Sequence, residues 1–149
     1  MTRGAGTDYG RPMAFTSLGA VYEDYALLEA DDRYRLLIDI GRALEPMPDA
    51  LKTDSTLVRG CSAAVWLYPV VRGDGRLHFL ADSNAAITKG IVALILLAVQ
   101  DRAPAEILAL DIEGALARFD LSSQLSSNRT QGIPNMIALI RESAGRLAA

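Results

Sequence analysis

Near the middle of the chain two strand-like runs meet at a tight turn, and the apolar residues on either side of them follow helical spacing. Ala64 to Val71 is rich in Val, Trp, Leu and Tyr, residues that fit a pleated surface. Asp74-Gly75 supplies the turn of a hairpin, and Leu77, Phe79 and Ala81 then alternate with His78 and Leu80 on the returning strand. A hairpin alone is barely stable in water and needs something to cover its apolar face. Helices are the only other elements this chain offers. The expected architecture is therefore α+β: one domain, with a short antiparallel β-sheet packed against helices. Pro69 has no N–H to donate, which places its strand at an edge or at a bulge.

Upstream, Val21, Tyr25 and Leu28 lie at i, i+4 and i+7, and Tyr34, Leu37, Ile38, Gly41 and Leu44 resume the stripe. Two helices are expected there, with Asp31 and Asp32 capping the second and Pro46 and Pro48 ending it. Residues 49–60 read as a polar connection, with a weak strand signal at Leu57-Val58. After the hairpin, Asp82-Ser83-Asn84 has helix-capping chemistry, and a helix is expected from there to about Val99. Pro104 to Leu108 and Ile112 to Phe119 read as short helices, and 122–130 as a loop rich in Ser, Gln and Asn. The last helix puts Ile133, Met136, Ile137, Ile140, Ala144 and Leu147 on one face, with Pro134 near its start. Residues 1–20 carry no apolar run of the secretory kind and are expected to form a flexible tail, leaving 21–149 as the domain. The most apolar stretch, Ile91 to Val99, has nine residues, whereas a membrane-spanning helix needs about 20. It reads as a buried core helix.

Composition removes several kinds of chemistry. Over 149 residues the net charge is −3, and phosphate backbones are bound by basic surfaces. No nucleic-acid or membrane partner is expected. One cysteine and one histidine cannot supply a Cys/His zinc site or hold an iron–sulfur cluster, so no metal site is expected. Neither a GxxxxGK[ST] phosphate loop nor a GxSxG nucleophile elbow occurs. A lone cysteine forms no internal disulfide, which suits a reducing cytoplasm.

Cys61 follows Arg59-Gly60 and precedes the first strand. A glycine there frees the backbone to turn, and a cation two residues away would favour the thiolate. Against this stands the plain alternative of a small buried hydrophobe, the commoner fate of a free cysteine. On residue chemistry alone the packing reading leads. A nucleophilic pair of Cys61 with His78 is the minor alternative, since both flank the same hairpin.

The segment Val58-Arg59-Gly60-Cys61-Ser62-Ala63-Ala64-Val65-Trp66-Leu67 resembles the GCxxxVW signature of the SufE/CsdE family of cysteine-desulfurase partners. Tyr22-Glu23-Asp24-Tyr25 with Arg33 to Gly41 is similar to that family's opening helices. Ala81-Asp82-Ser83-Asn84 through Ile87-Thr88-Lys89-Gly90 resembles its GDSxxxIVKG segment, and Leu125 to Gly132 its LxxxRxxG segment. Four matches stand in family order between about residues 21 and 147. Two departures occur: Ser62-Ala63-Ala64 replaces more polar residues, and Asn84 stands where an acid is common.

The resemblance implies a fold shared with iron–sulfur scaffolds of the IscU type. It also implies that the chain accepts persulfide sulfur from a pyridoxal-phosphate cysteine desulfurase and relays it to a cluster-assembly scaffold. No cofactor of the chain's own is implied. Carried over by position, Cys61 is the acceptor. Arg59, Gly60, Asp82, Asn84, Arg129 and Gly132 form the cysteine-loop environment or the partner surface. Asp82 and Ser83 also read as a helix cap, Lys89 as a solvated charge, and Trp66 as core or as a lid near the loop. A loop spanning 57–63 is expected to alternate between a tucked and an extended position.

Overall fold

A computed structural model describes residues 17–148. The helices α1 (Leu18–Ala26) and α2 (Ala30–Arg42) come first, then a 3-10 turn at Asp49–Leu51, then strands β1 (Val65–Val71) and β2 (Leu77–Ser83). Helix α3 (Ala86–Val99) follows, with α4 (Pro104–Ala109), α5 (Ile112–Ala117), α6 (Leu121–Gln124), α7 (Ser127–Thr130) and α8 (Ile133–Leu147) after it. This is the expected α+β domain. The tail expected over residues 1–20 lies largely outside the described residues, and α1 begins inside its last three positions.

Helix α3 is apolar nearly all round, and from Ile87 to Val99 only Lys89 and Leu97 escape full burial. Such a helix must be surrounded. It packs against α1, α2, α5, α8 and β2. The closest of these contacts is made by missing side chains. A Cβ on Gly41 of α2 would lie 2.7 Å from the Gly90 nitrogen of α3, and one on Gly90 would run into the main-chain carbonyl of Leu37.

The hairpin has the expected register, with Val65 opposite Ser83 and Val71 opposite Leu77. Leu77, Phe79, Ala81 and Ser83 are buried against the helices. Both sheet edges are covered by irregular backbone. Outside β1, Val58 N donates to Val65 O at 2.7 Å and Leu67 N to Thr56 O at 2.9 Å, so the weak strand signal at Leu57-Val58 is a single bridge, Leu57 to Trp66. Outside β2, Leu77 N donates to Arg102 O at 2.9 Å, and the Gln100 side chain bonds both Phe79 N and Phe79 O. The same alternation turns the nitrogen of Pro69 outward, like that of Leu67. Pro69 therefore sits on an edge, without a bulge, where no ladder bond is lost.

Several local expectations are corrected. The N-cap of α2 is Glu29, with no side-chain cap, and Asp31 and Asp32 lie in its first turn. There they favour the helix through its dipole. Asp82-Ser83-Asn84 does not cap α3, because β2 runs through Ser83 and the helix starts three residues later, at Ala86, with Ala85 as its N-cap. The stretch 122–130 is not a plain loop but includes the single turns α6 and α7. On α8, Met136, Ile137, Ile140 and Ala144 are buried as expected, while Leu147 is 40% exposed.

Candidate functional site

Cys61 lies in the loop that leads into β1, half-buried, with its side chain against the hydrophobic core. What holds it there comes from the other end of the chain. Gly132, the N-cap of α8, is buried directly behind the sulfur. A Cβ at that position would overlap Cys61 Sγ and approach Cys61 Cβ to 3.1 Å. The two sequence motifs around Cys61 and around Arg129-Gly132 are thus faces of one site.

The loop backbone is shaped by Gly60, whose φ of +83° lies in the left-handed region that favours glycine. Space requires the same residue, because a Cβ there would collide with the Asn135 amide. Asn135 Nδ2 instead donates to Arg59 O at 2.8 Å. On the far side of the cysteine, Ser62 Oγ donates to Asn128 O at 2.9 Å and accepts from Gln131 Nε2 at 2.8 Å. The next residues are fixed to β2. Ala64 N donates to Asn84 Oδ1 at 3.1 Å, and Ser83 Oγ donates to Ala64 O at 2.8 Å.

The outer face of the hairpin carries an ion cluster. Asp82 Oδ2 meets Lys52 Nζ at 2.6 Å and Asp82 Oδ1 meets Lys89 Nζ at 3.2 Å. Burial raises the Asp82 pKa, but the hydrogen bonds from Lys52, the Ser83 N–H and Lys89 outweigh it and hold the carboxyl below the usual range. Lys89 is therefore a paired charge, not a solvated one. Trp66 lies opposite Asp82, partly exposed, with Lys52 Nζ 5.8 Å from its ring centroid. It is not part of the buried core.

Two electrostatic expectations change. Arg59 does not lower the pKa of the thiol. Its side chain is exposed, and burial pushes the Cys61 thiol above its ordinary value. What Arg59 contributes to the loop is its carbonyl. His78 is not paired with Cys61 either. Its Nε2 meets Glu45 Oε1 at 2.7 Å and its Nδ1 meets Asp101 Oδ1 at 2.9 Å. It stands opposite Val70, five residues along β1 from Val65, or about 17 Å further along the strand. Arg129 is exposed in α7, and its guanidinium has no hydrogen-bond or ion-pair partner among the described residues.

The structure thus gathers Gly60, Cys61 and Gly132 and brings Asn84 in through Ala64, while Asp82 sits on the adjoining outer face. Sequence reasoning missed Asn135, Gln131 and Lys52, and treated Ser62 only as a departure. Nothing marks Asn135 in the sequence, since it contacts a residue 76 positions away. Among the described residues no group of three or more His, Cys, Asp or Glu is placed to hold a metal ion. No described helix is long and apolar enough to cross a membrane.

Known proteins resemble this chain over most of its length. A family model described as "SufE, Fe–S metabolism associated domain" matches residues 20–144. An uncharacterised SufE-like protein of Rhizobium meliloti is 37% identical over 139 residues, covering 90% of this chain and 99% of the relative. A second, from Rhizobium etli, is 34% identical over 144 residues, covering 94% and 97%. Among solved structures, the solution structure of a hypothetical protein from Thermus thermophilus superimposes with a TM-score of 0.70 at 16% identity, covering 87% of this chain and 94% of that one. At that identity the likeness concerns the fold alone.

Proposed function

The chain belongs to the SufE family, which is associated with Fe–S metabolism, and from that premise we propose that it accepts persulfide sulfur on Cys61 from a cysteine desulfurase and relays it towards an iron–sulfur assembly scaffold. The observation that carries the reading is the seating of the cysteine. Its sulfur is packed against Gly132, in a loop with a left-handed glycine, and that seat is fastened by side-chain hydrogen bonds at the surface.

The chemistry is a displacement at sulfur. The Cys61 thiolate attacks the outer sulfur of the donor's persulfide, a new S–S bond forms on Cys61, and the donor's S–S bond breaks to release its cysteine thiolate. One S–S bond replaces another, so no external oxidant or reductant is needed. Transfer to a scaffold thiol repeats the step with Cys61 as leaving group. The chain needs no cofactor for either step, and the pyridoxal phosphate that generates the persulfide belongs to the desulfurase.

Burial alone raises the Cys61 pKa. Extending the loop into a partner's site removes that burial and lets the thiol ionise where it is used. In the tucked position the thiol stays protonated, and any persulfide on it is shielded from oxidation and reduction. Arg129, exposed beside this loop and without an internal partner among the described residues, is assigned to the partner surface.

The test is mass spectrometry under non-reducing conditions, after incubation with cysteine and a pyridoxal-phosphate desulfurase. A gain of one sulfur on Cys61 is expected, together with faster turnover of the desulfurase, and both should disappear in Cys61→Ser. Full stimulation by Cys61→Ser would overturn the proposal.

A further inference from the structure

Of the polar groups around Cys61, three do not belong to its own segment: the Asn135 amide, the Gln131 amide and the Asn128 carbonyl. All three lie in the turn-and-helix segment 127–135 around Gly132. Their bonds flank the cysteine, one closing on Arg59 O before it and the others on Ser62 Oγ after it. No other side-chain hydrogen bonds tie residues 59–62 to the rest of the described structure. Downstream, Ala64 is fixed to β2 at both its N–H and its carbonyl. Upstream, Val58 is fixed to β1 through Val65.

The segment 59–63 is thus a short span with two anchored ends and a separate pair of fasteners in its middle. We propose that Asn135 and Gln131 are positioning residues that form a latch, setting how often Cys61 leaves its seat on Gly132. This inference rests on the sulfur-acceptor reading for its purpose, but not for its geometry.

The physical argument is one of exchange. Both amide donors and both acceptors lie at the surface, so opening replaces each protein hydrogen bond with one to water. Each such bond contributes only a modest net amount to holding the loop closed. Anchors made of sheet backbone would open only with the fold. A latch made of two exposed amides opens locally, which a loop serving a partner requires. Asn135 bears most of this role, because its amide fills the space beside Gly60 as well as bonding Arg59 O. Gln131 acts on a hydroxyl that keeps a second bond to Asn128 O when the amide is removed, and so has the smaller effect.

The experiment uses the protein alone, so its failure is distinguishable from failure of the sulfur-acceptor reading. The alkylation rate of Cys61 by iodoacetamide is measured below the pH at which the thiol ionises, beside the thermal unfolding temperature. Loss of one neutral hydrogen bond of ordinary strength corresponds to a roughly three- to tenfold rise in opening. That rise is expected for Asn135→Ala, and also for Asn135→Leu, which keeps bulk beside Gly60 but donates nothing. Gln131→Ala should give a smaller increase in the same direction. The residues lie on exposed faces of helical turns, and Ala and Leu are good helix formers, so the unfolding temperature should stay nearly constant. Unchanged alkylation in Asn135→Ala would overturn the latch. So would a rise in Asn135→Ala that Asn135→Leu does not share, because the amide would then act by bulk alone.

Discussion

Two contacts in this molecule depend on a glycine whose partner sits where a Cβ would go, and they behave as opposites. Gly90 of α3 meets the main chain of α2 at Leu37 and Gly41. Gly132 of α8 meets the sulfur of Cys61. In the first, both partners are regular helices with buried apolar surface around them, so separating them means unfolding the core. In the second, one partner is a five-residue span held by surface hydrogen bonds, so separating them disturbs little else. The same missing side chain makes a permanent joint in one place and, in the latch proposed above, a releasable seat in the other. What surrounds the glycine decides which.

The contrast is broken most severely at Gly90. A methyl group there has only the Leu37 carbonyl to push against, and neither helix can move without opening the core. Gly90→Ala should cost about 3 kcal/mol or more in denaturant unfolding. Gly132→Ala should behave differently. Its φ of −84° suits any residue, and the added methyl displaces a loop instead of a helix. We expect a loss of only about 1 kcal/mol, within the usual range for a tolerated substitution, together with faster alkylation of Cys61. A Gly132→Ala protein as unstable as Gly90→Ala would show that the two contacts are of one kind.

Asp82 offers a third measurement, on the outer face of the hairpin. Its pKa is lowered in the folded protein. The stability it contributes is therefore present above the ordinary carboxylate pKa and is lost as pH falls through the lower folded value. Asp82→Asn should cost about 1 kcal/mol at neutral pH and flatten the acid limb of a stability–pH curve.

The thiol has the opposite sign. Cys61 is raised by burial, so above the ordinary thiol pKa the folded state keeps a proton that the unfolded chain has lost, and stability falls slightly as pH rises. Native Cys61 should accordingly reach half-maximal alkylation at a higher pH than the denatured chain does. The smallest effect is expected at His78. Its carboxylate partners and its place near the far end of the hairpin predict that His78→Ala leaves sulfur acceptance unchanged, measured as the mass gain on Cys61.

Much of this was legible in the residues, and some of the failures are instructive. The Asp74-Gly75 turn and the alternation of Leu77, Phe79 and Ala81 were enough for the hairpin and its buried face. Asp82-Ser83-Asn84 misled because the groups that cap a helix also fasten a strand, and local composition does not say which. Ser83 and Asn84 bond Ala64, the residue just before the neighbouring strand, instead. A carboxylate in place of Asn84 would accept the same bond from Ala64 N, which is why that departure leaves the loop intact. Arg59 misled because adjacency in sequence is not adjacency of charge to sulfur.

Local periodicity and turn chemistry by themselves determined the α+β class and the central buried helix, and the motif around Cys61 singled out the residue on which the proposed function rests. Both depend on neighbours within a few positions. The seat of that cysteine was decided only by tertiary structure. Gly132, Gln131 and Asn135 lie about 70 residues further along the chain, and their contacts with the loop arise from how α8 packs on the core. No short-range pattern records that packing, because it is a property of the assembled core and not of either segment.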